Sequence, residues 1–323
     1  MTKPFLDLNI EVAQINAFLS NLRQHSPYDD EINDLIDQII QMGGKRIRPL
    51  ICLLSFEMIS HKNRDDSSLA AACALEIIHN ASLIIDDIFD KDVYRRKEKS
   101  FYLKFSTFSA LSLTYSMSSL ALSLASQTDT IEIVEEIINA ISVLSTSLFL
   151  EQKFRQGNKK MSKEEALQLI DRKTSVLFEA ASAIGSILGN STKSDRDKMK
   201  SFGKSFGRAF QLRDDYLSLI SEPDELGKSG TWTDITNRIQ TYIVLEALDT
   251  LPEKERDILY NYYVNKEKIS TELIKNLLAE SQAIKNVKIL INEYIDEAIS
   301  TLNQFPSSVA RDKLLLITRM LEV

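Results

Sequence analysis

Glycine and proline are scarce, nine and six among 323 residues, where average usage of about 7% and 5% would give roughly 39 together. A chain so short of turn-formers cannot punctuate a dozen short strands, which excludes a mainly β architecture and long flexible linkers. Only two cysteines occur, Cys52 and Cys73, both within apolar runs. They read as buried thiols in a reducing compartment rather than a disulfide framework. A basic excess is also missing: the formal net charge is −7, which argues against nucleic acid as a partner. The N-terminal stretch MTKPFLDLNIEVAQ has no signal-peptide apolar core, so a cytoplasmic protein is expected. What is present is 44% hydrophobic and 26% charged residues, enough for a packed core and too apolar for disorder. The composition reads as a large all-α protein.

One run needs a membrane test. Residues 105–128 carry no charge, long enough to span a bilayer. Eight serines and three threonines among those 24 positions favour a core helix packed among other helices, so the chain is not expected to be an integral membrane protein. Helical spacing of apolar residues predicts helices over 8–25, 29–42, 48–60, 67–91, 106–126, 130–155, 163–189, 194–221, 236–249, 253–264, 271–278, 281–302 and 308–321. Asp65–Ser68, Ser162 and Ser270 offer N-terminal caps, and Pro252 suits a first turn. No linker or repeat divides the chain, so one domain over 1–323 is expected.

Chemistry concentrates in four places. Asp86, Asp87 and Asp90 stand in DDIFD at the end of the apolar stretch LEIIHNASLIIDDIFD. At 3.6 residues per turn Asp86 and Asp90 share a helix face, with Asp87 beside them. Carboxylates crowded there repel, and a hard cation that keeps water and phosphate oxygens in its shell, Mg²⁺, relieves this. A solvated helix end is the plain alternative. Arg95-Arg96 follow shortly after, guanidinium forks suited to phosphate. GGKRIRP at 43–49 pairs glycines, which let a ligand approach backbone, with Lys45 and Arg48. It is not a Walker loop, because the GxxxxGK[ST] spacing is absent. FGRAFQLRDDYL supplies a second acidic pair, Asp214-Asp215, with Gln211, Asp214 and Ser218 on one face. Helices bearing Asp86 and Asp214 that opposed each other would wall a cavity able to bridge one diphosphate through metal ions, with Lys173 and Lys228 adding positive charge.

In order along the chain, GGKRIRP, HNASLIIDDIFD with RR after it, RKTSVLFEAASAIGSIL, and FGRAFQLRDDYL followed by ELGK resemble the trans-isoprenyl diphosphate synthases from about residue 30 onward. The resemblance implies an all-α isoprenoid-synthase helical bundle around a central cavity, usually a homodimer. It implies head-to-tail joining of isopentenyl diphosphate to an allylic diphosphate. By position, Asp86 and Asp90 would bind two Mg²⁺ and Asp214 a third, with Asp87 and Asp215 supporting. Arg95, Lys173 and Lys228 would hold the allylic diphosphate, Thr174 and Gln211 would flank the reacting ends, and Lys45, Arg48, His79 and Arg96 would hold isopentenyl diphosphate. For His79 a hydrogen-bonded core role competes with that reading.

Small residues, Ala81 and Ser82, stand one turn before the first aspartates, where bulky ones block the growing tail in this family. A C20 product is expected, with C15 or C25 and longer as alternatives and Tyr115, Met117, Ile77 or Ile78 as later floors. The 106–126 helix is expected to form an apolar cavity wall.

The chain also departs from the family pattern. The second motif reads DDYLS, with Ser218 where a third aspartate is usual. DITNRIQTYIV has Arg238-Ile239 in place of the usual Gly-Lys, RRKEKS lacks the usual glycine and proline, and the 106–126 helix lacks the usual Gly-Asp. These keep open a non-catalytic or regulatory subunit of a heteromeric synthase. A terpene cyclase is a further alternative, although a cyclase has no need of the second anion pocket that GGKRIRP suggests.

Overall fold

A computed structural model describes residues 8–96, 98–156, 159–220 and 232–323. The ELGK segment with Lys228 lies outside them. Among the described residues the chain is helical apart from one two-stranded hairpin. The N-terminal half runs α1 (Asn9–Ser20), a 3₁₀ turn (Leu22–His25), α2 (Asp30–Gln41), α3 (Ile47–Ser60) and α4 (Asp66–Asp90). The hairpin β1 (Tyr94–Arg95) and β2 (Glu98–Lys99) follows, then α5 (Phe101–Lys104), α6 (Thr107–Ser126) and α7 (Ile131–Gln156). The second half holds α8 (Lys163–Ile170), a π-turn (Asp171–Ser175), α9 (Val176–Leu188) and α10 (Lys193–Ile220). It closes with α11 (Thr233–Thr236), α12 (Tyr242–Thr250), α13 (Glu253–Tyr263), α14 (Thr271–Glu280), α15 (Ala283–Leu302) and α16 (Val309–Arg319).

The centre is α4. Asp65 accepts from the Ser68 amide while the Ser68 hydroxyl accepts from the Asp65 amide, a capping box that fixes the start. The run Ala70–Ile78 is buried throughout between α3, α6 and α9. Both cysteines are free and buried here, where burial pushes their thiols up. α9 in turn packs on α3 and α10, and glycines set the distance. A Cβ on Gly185 would lie 2.2 Å from the Cys52 carbonyl oxygen, one on Gly203 2.5 Å from that of Phe178, and one on Gly207 2.5 Å from the Ser175 Cα. The one-turn spacing of Gly203 and Gly207 therefore lets α10 lie directly against the π-turn and α9.

An ion pair with both groups buried holds the turn before α3. Arg46 adopts φ 52°, bonds Glu76 of α4 at 2.7 Å and the Ile40 carbonyl at 2.8 Å, and reaches Asn16 of α1 at 3.0 Å. This fixes the entry to α3 and hence the position of Arg48.

Several expectations change. The helix over 8–25 breaks at Asn21 into a 3₁₀ turn. The helix over 236–249 begins only at Tyr242, because Arg238 closes α11 at φ 55° and Thr241 is extended. Ser270 makes no cap bond, and Pro252 sits at the N-cap rather than inside the first turn. The 163–189 helix is interrupted by the π-turn.

The charge-free helix α6 is not central. Ala110, Leu113, Met117, Leu120 and Ala121 are buried, with α6 packed on α4, while Phe108 is 82% and Tyr115 79% exposed. Ser116, Ser118 and Ser126 satisfy their hydroxyls on their own helix's carbonyls. By length and composition alone α4, α6 and residues 131–155 could cross a membrane, but α4 is enclosed by protein.

Gly203→Ala should lower stability by about 1–3 kcal/mol through overpacking, as read by chemical denaturation. A change below about 0.5 kcal/mol would show that the α9–α10 approach is not tight.

Candidate active site

The end of α4, the hairpin after it, α7, the π-turn and α10 converge on a cavity of about 450 Å³. Arg48, His79, Ser82, Asp86 and Asp90 line one side. Lys173, Thr174, Gln211, Asp214 and Asp215 line the other, with Glu151 and Asp234 also in the wall. The two acidic motifs thus face a common space.

On the α4 wall each aspartate meets a cation. Asp86 lies 3.6 Å from Lys173 and Asp90 2.6 Å from Arg155. Both cations also bond Glu151 of α7, at 2.9 Å for Lys173 and 2.5 Å for Arg155. Burial raises the Asp86 pKa against the opposing pull of Lys173. Burial disfavours the Lys173 charge, but Asp86 and Glu151 outweigh it and leave the ammonium pKa raised. Glu151 remains an anion despite its burial because Lys173 and Arg155 hold its pKa down.

Asp87 behaves differently from its neighbours. It is buried, is not among the residues lining the cavity, and takes the Arg95 guanidinium at 2.5 Å. Burial lifts its carboxyl to about 6 in spite of Arg95. Asp87 thus stands as the anchor of Arg95 rather than beside Asp86 and Asp90 in the cavity lining. The hairpin makes this possible by folding Arg95 and Arg96 back over the end of α4. Arg96 donates to the Gly43 carbonyl, and a Cβ on Gly44 would sit 3.3 Å from its guanidinium. The GGKRIRP turn and the arginine pair therefore meet. Arg48 lies 4.6 Å over the Phe178 ring, and burial lowers its pKa to about 10, so it stays charged. Burial, reinforced by Arg48 and Arg96, drives the His79 pKa well below that of a free imidazole; the ring is neutral at pH 7. Lys45 is exposed and does not line the cavity.

Lys173 and Thr174 owe their placement to the π-turn, where the Val176 amide reaches back to the Asp171 carbonyl. Such bulges re-aim side chains in the middle of a helix. The Thr174 hydroxyl donates to Gln211 at 2.6 Å and the Gln211 amide donates to Asp215 at 2.7 Å, a chain that ties the two helices together. Asp215 is pushed well up by burial and then by Asp234. Ser218 donates to the Asp215 carbonyl at 2.9 Å and to the Asp234 carboxylate at 3.1 Å. A carboxylate from beyond α10 thus enters the wall beside the missing third aspartate. Arg238 does not replace the absent lysine: it lies 4.6 Å over Tyr262 and donates to the Glu267 carbonyl at 3.0 Å.

The tail side also needs correction. Ser82 lines the cavity, whereas Ala81, Ile77, Ile78 and Met117 are core residues outside its lining and Tyr115 faces outward. No residue of α6 lines the cavity, so it forms no wall there.

Among the described residues no three carboxylate, histidine or thiol groups close on one point. Hard oxygens set singly on facing walls fit Mg²⁺, which fills its shell with phosphate and water. The residues that sequence reasoning missed are Glu151, Arg155 and Asp234. A signal existed for the first two: charge reappears at Glu151 and Arg155, four residues apart, after an uncharged stretch from 137 to 150.

The profile of the family described as Polyprenyl synthetase matches residues 29–281. The chain is 29% identical over 272 residues to the geranylgeranyl diphosphate synthase of Sulfolobus acidocaldarius, covering 82% of each. It is 30% identical over 261 residues to the short chain isoprenyl diphosphate synthase of Methanocaldococcus jannaschii, covering 80% of this chain and 78% of the relative. Its fold matches the polyprenyl synthase of Caulobacter crescentus, solved with calcium and isoprenyl diphosphate, at a TM-score of 0.88 and 23% identity, over 98% and 96% of the two chains. The all-α architecture, the facing acidic walls and these matches agree, and the chain belongs to the polyprenyl synthetase family of trans-isoprenyl diphosphate synthases.

Proposed function

We propose that this prenyltransferase condenses isopentenyl diphosphate head-to-tail with an allylic diphosphate, using Mg²⁺, within a single domain. The observation that carries the reading is the placement of Asp86 and Asp90 across one cavity from Asp214, with a basic pocket, Arg48, Arg95 and Arg96, at its side. Asp86, Asp90 and Asp214 would hold three Mg²⁺, whose chemistry is to neutralise the departing diphosphate. Lys173 and Arg95 would hold the allylic diphosphate, a role the family resemblance also gives Lys228; Arg48, His79 and Arg96 would take isopentenyl diphosphate, a role it also gives Lys45. His79, being neutral, donates one ring N–H to a phosphate oxygen.

The allylic carbon–oxygen bond breaks, the double bond of isopentenyl diphosphate attacks the resulting cation, and a proton is lost to the released diphosphate. Lys173 and Arg95 stabilise charge on the leaving group. The Thr174–Gln211–Asp215 chain fixes the wall beside the reacting ends, and Leu83, Ile170 and Phe210 exclude water that would quench the cation. The small Ser82 leaves the tail a way past the first turn, which supports a C20 product, as does the likeness to a synthase named for geranylgeranyl diphosphate.

The exposed apolar faces of α6 and α7 support a homodimer. Phe108, Leu111 and Tyr115 line one side of α6, and Ile131, Ile138 and Phe149 recur on one face of α7. An exposed apolar surface of that extent marks an interface.

Asp86→Ala should reduce turnover by at least about a hundredfold with the fold intact; near-normal turnover, read by release of diphosphate, would refute the role. Ser82→Phe should shift products to shorter chains on chromatography, and an unchanged distribution would put the floor elsewhere. Phe149→Asp should convert a dimer to a monomer in light scattering, while a wild-type chain that is already monomeric would remove the dimer from the account.

A further inference from the structure

The ion pair at Asp90 is not required by the family reading. Arg155 lies on α7, 65 residues beyond Asp90 in the chain, and does not line the cavity. It reaches Asp90 at 2.6 Å while remaining at 2.5 Å from Glu151. Its guanidinium is thus shared between a carboxylate that faces the cavity and one that anchors it from behind. Glu151 also holds Lys173, which lies 3.6 Å from Asp86. The five groups leave a net single negative charge in place of the repulsion of three carboxylates.

A divalent cation arriving at Asp90 meets a carboxylate that already has a cation. Both charges cannot sit on that oxygen pair without strong repulsion. Arg155 has somewhere to go, because Glu151 accepts from both its Nε and Nη2 at 3.1 and 2.5 Å. Resting on the metal-dependent reading above, we propose that Arg155 is a built-in counter-ion of Asp90 that competes with the metal for that carboxylate. Metal binding at this end of the motif transfers the guanidinium wholly onto Glu151. Arg155 is a positioning residue: it acts through Asp90 and sets the metal concentration the site requires.

The test measures Mn²⁺ affinity of the full-length protein by electron paramagnetic resonance, with inorganic pyrophosphate present. Arg155→Gln should bind Mn²⁺ about tenfold more tightly than wild type, because one unit charge beside the ion is gone. Arg155→Lys, whose single nitrogen replaces the planar fork of Nε and Nη2 and holds Asp90 less firmly, should tighten binding about threefold and serves should the glutamine variant not fold. The gain from Arg155→Gln should vanish in an Asp90→Asn background. Equal or weaker Mn²⁺ binding by both Arg155 variants, with wild type binding normally, would overturn the counter-ion proposal alone. No Mn²⁺ binding by any of the proteins would overturn the metal-dependent reading and this proposal with it.

Discussion

Three carboxylates at the end of a buried, apolar helix pose a charge problem that the surrounding structure is arranged to solve. Left alone, Asp86, Asp87 and Asp90 would repel each other in a desolvated place, a costly arrangement. Each is answered by a different element: Asp86 by Lys173 from the π-turn, Asp87 by Arg95 from the hairpin, Asp90 by Arg155 from α7. Glu151 then steadies two of the three cations. The hairpin, the π-turn and the last turns of α7 thus have a shared purpose around the end of α4. The cations nearest the cavity also suit a substrate whose reacting ends carry diphosphates.

The scaffold makes this possible through close helix contact. Gly185, Gly203 and Gly207 let α3, α9 and α10 approach without intervening side chains. That contact sets Thr174 within reach of Gln211, and Gln211 within reach of Asp215. Arg46, buried on Glu76, fixes the turn that aims Arg48 at the cavity. Stability and site geometry rest on the same few packing constraints.

Much of this was legible in the sequence. In DDIFD and the second acidic pair, 3.6-residue periodicity decides which side chains share a helix face; that the two helices face each other is what the packing added. The π-turn could not be read, since one extra residue in a helix leaves no compositional mark; Lys173 was offered only as added positive charge, and Thr174 came from the family pattern alone. Glu151 and Arg155 look like an ordinary solvated pair four residues apart until α4 is packed beside them. The fate of Arg238 turned on a left-handed backbone that no neighbouring glycine announced. The Ser-rich helix α6 was misplaced because hydroxyls that bond their own carbonyls are equally content in a core or at an edge. Asp87 and Ala81 were given cavity roles by the family resemblance, and only the packed structure shows Asp87 on Arg95 and Ala81 in the core.

The departures Ser218 and Arg238 touch the second wall, where Asp234 joins Asp214 and Asp215. Whether that wall supports catalysis is decided by one measurement: product chromatography after incubating the purified protein with isopentenyl diphosphate and C5, C10 or C15 allylic diphosphates, with Mg²⁺ or with a chelator. The account predicts an elongated prenyl diphosphate that forms only with the metal. Folded protein that elongates none of the three starters would contradict it.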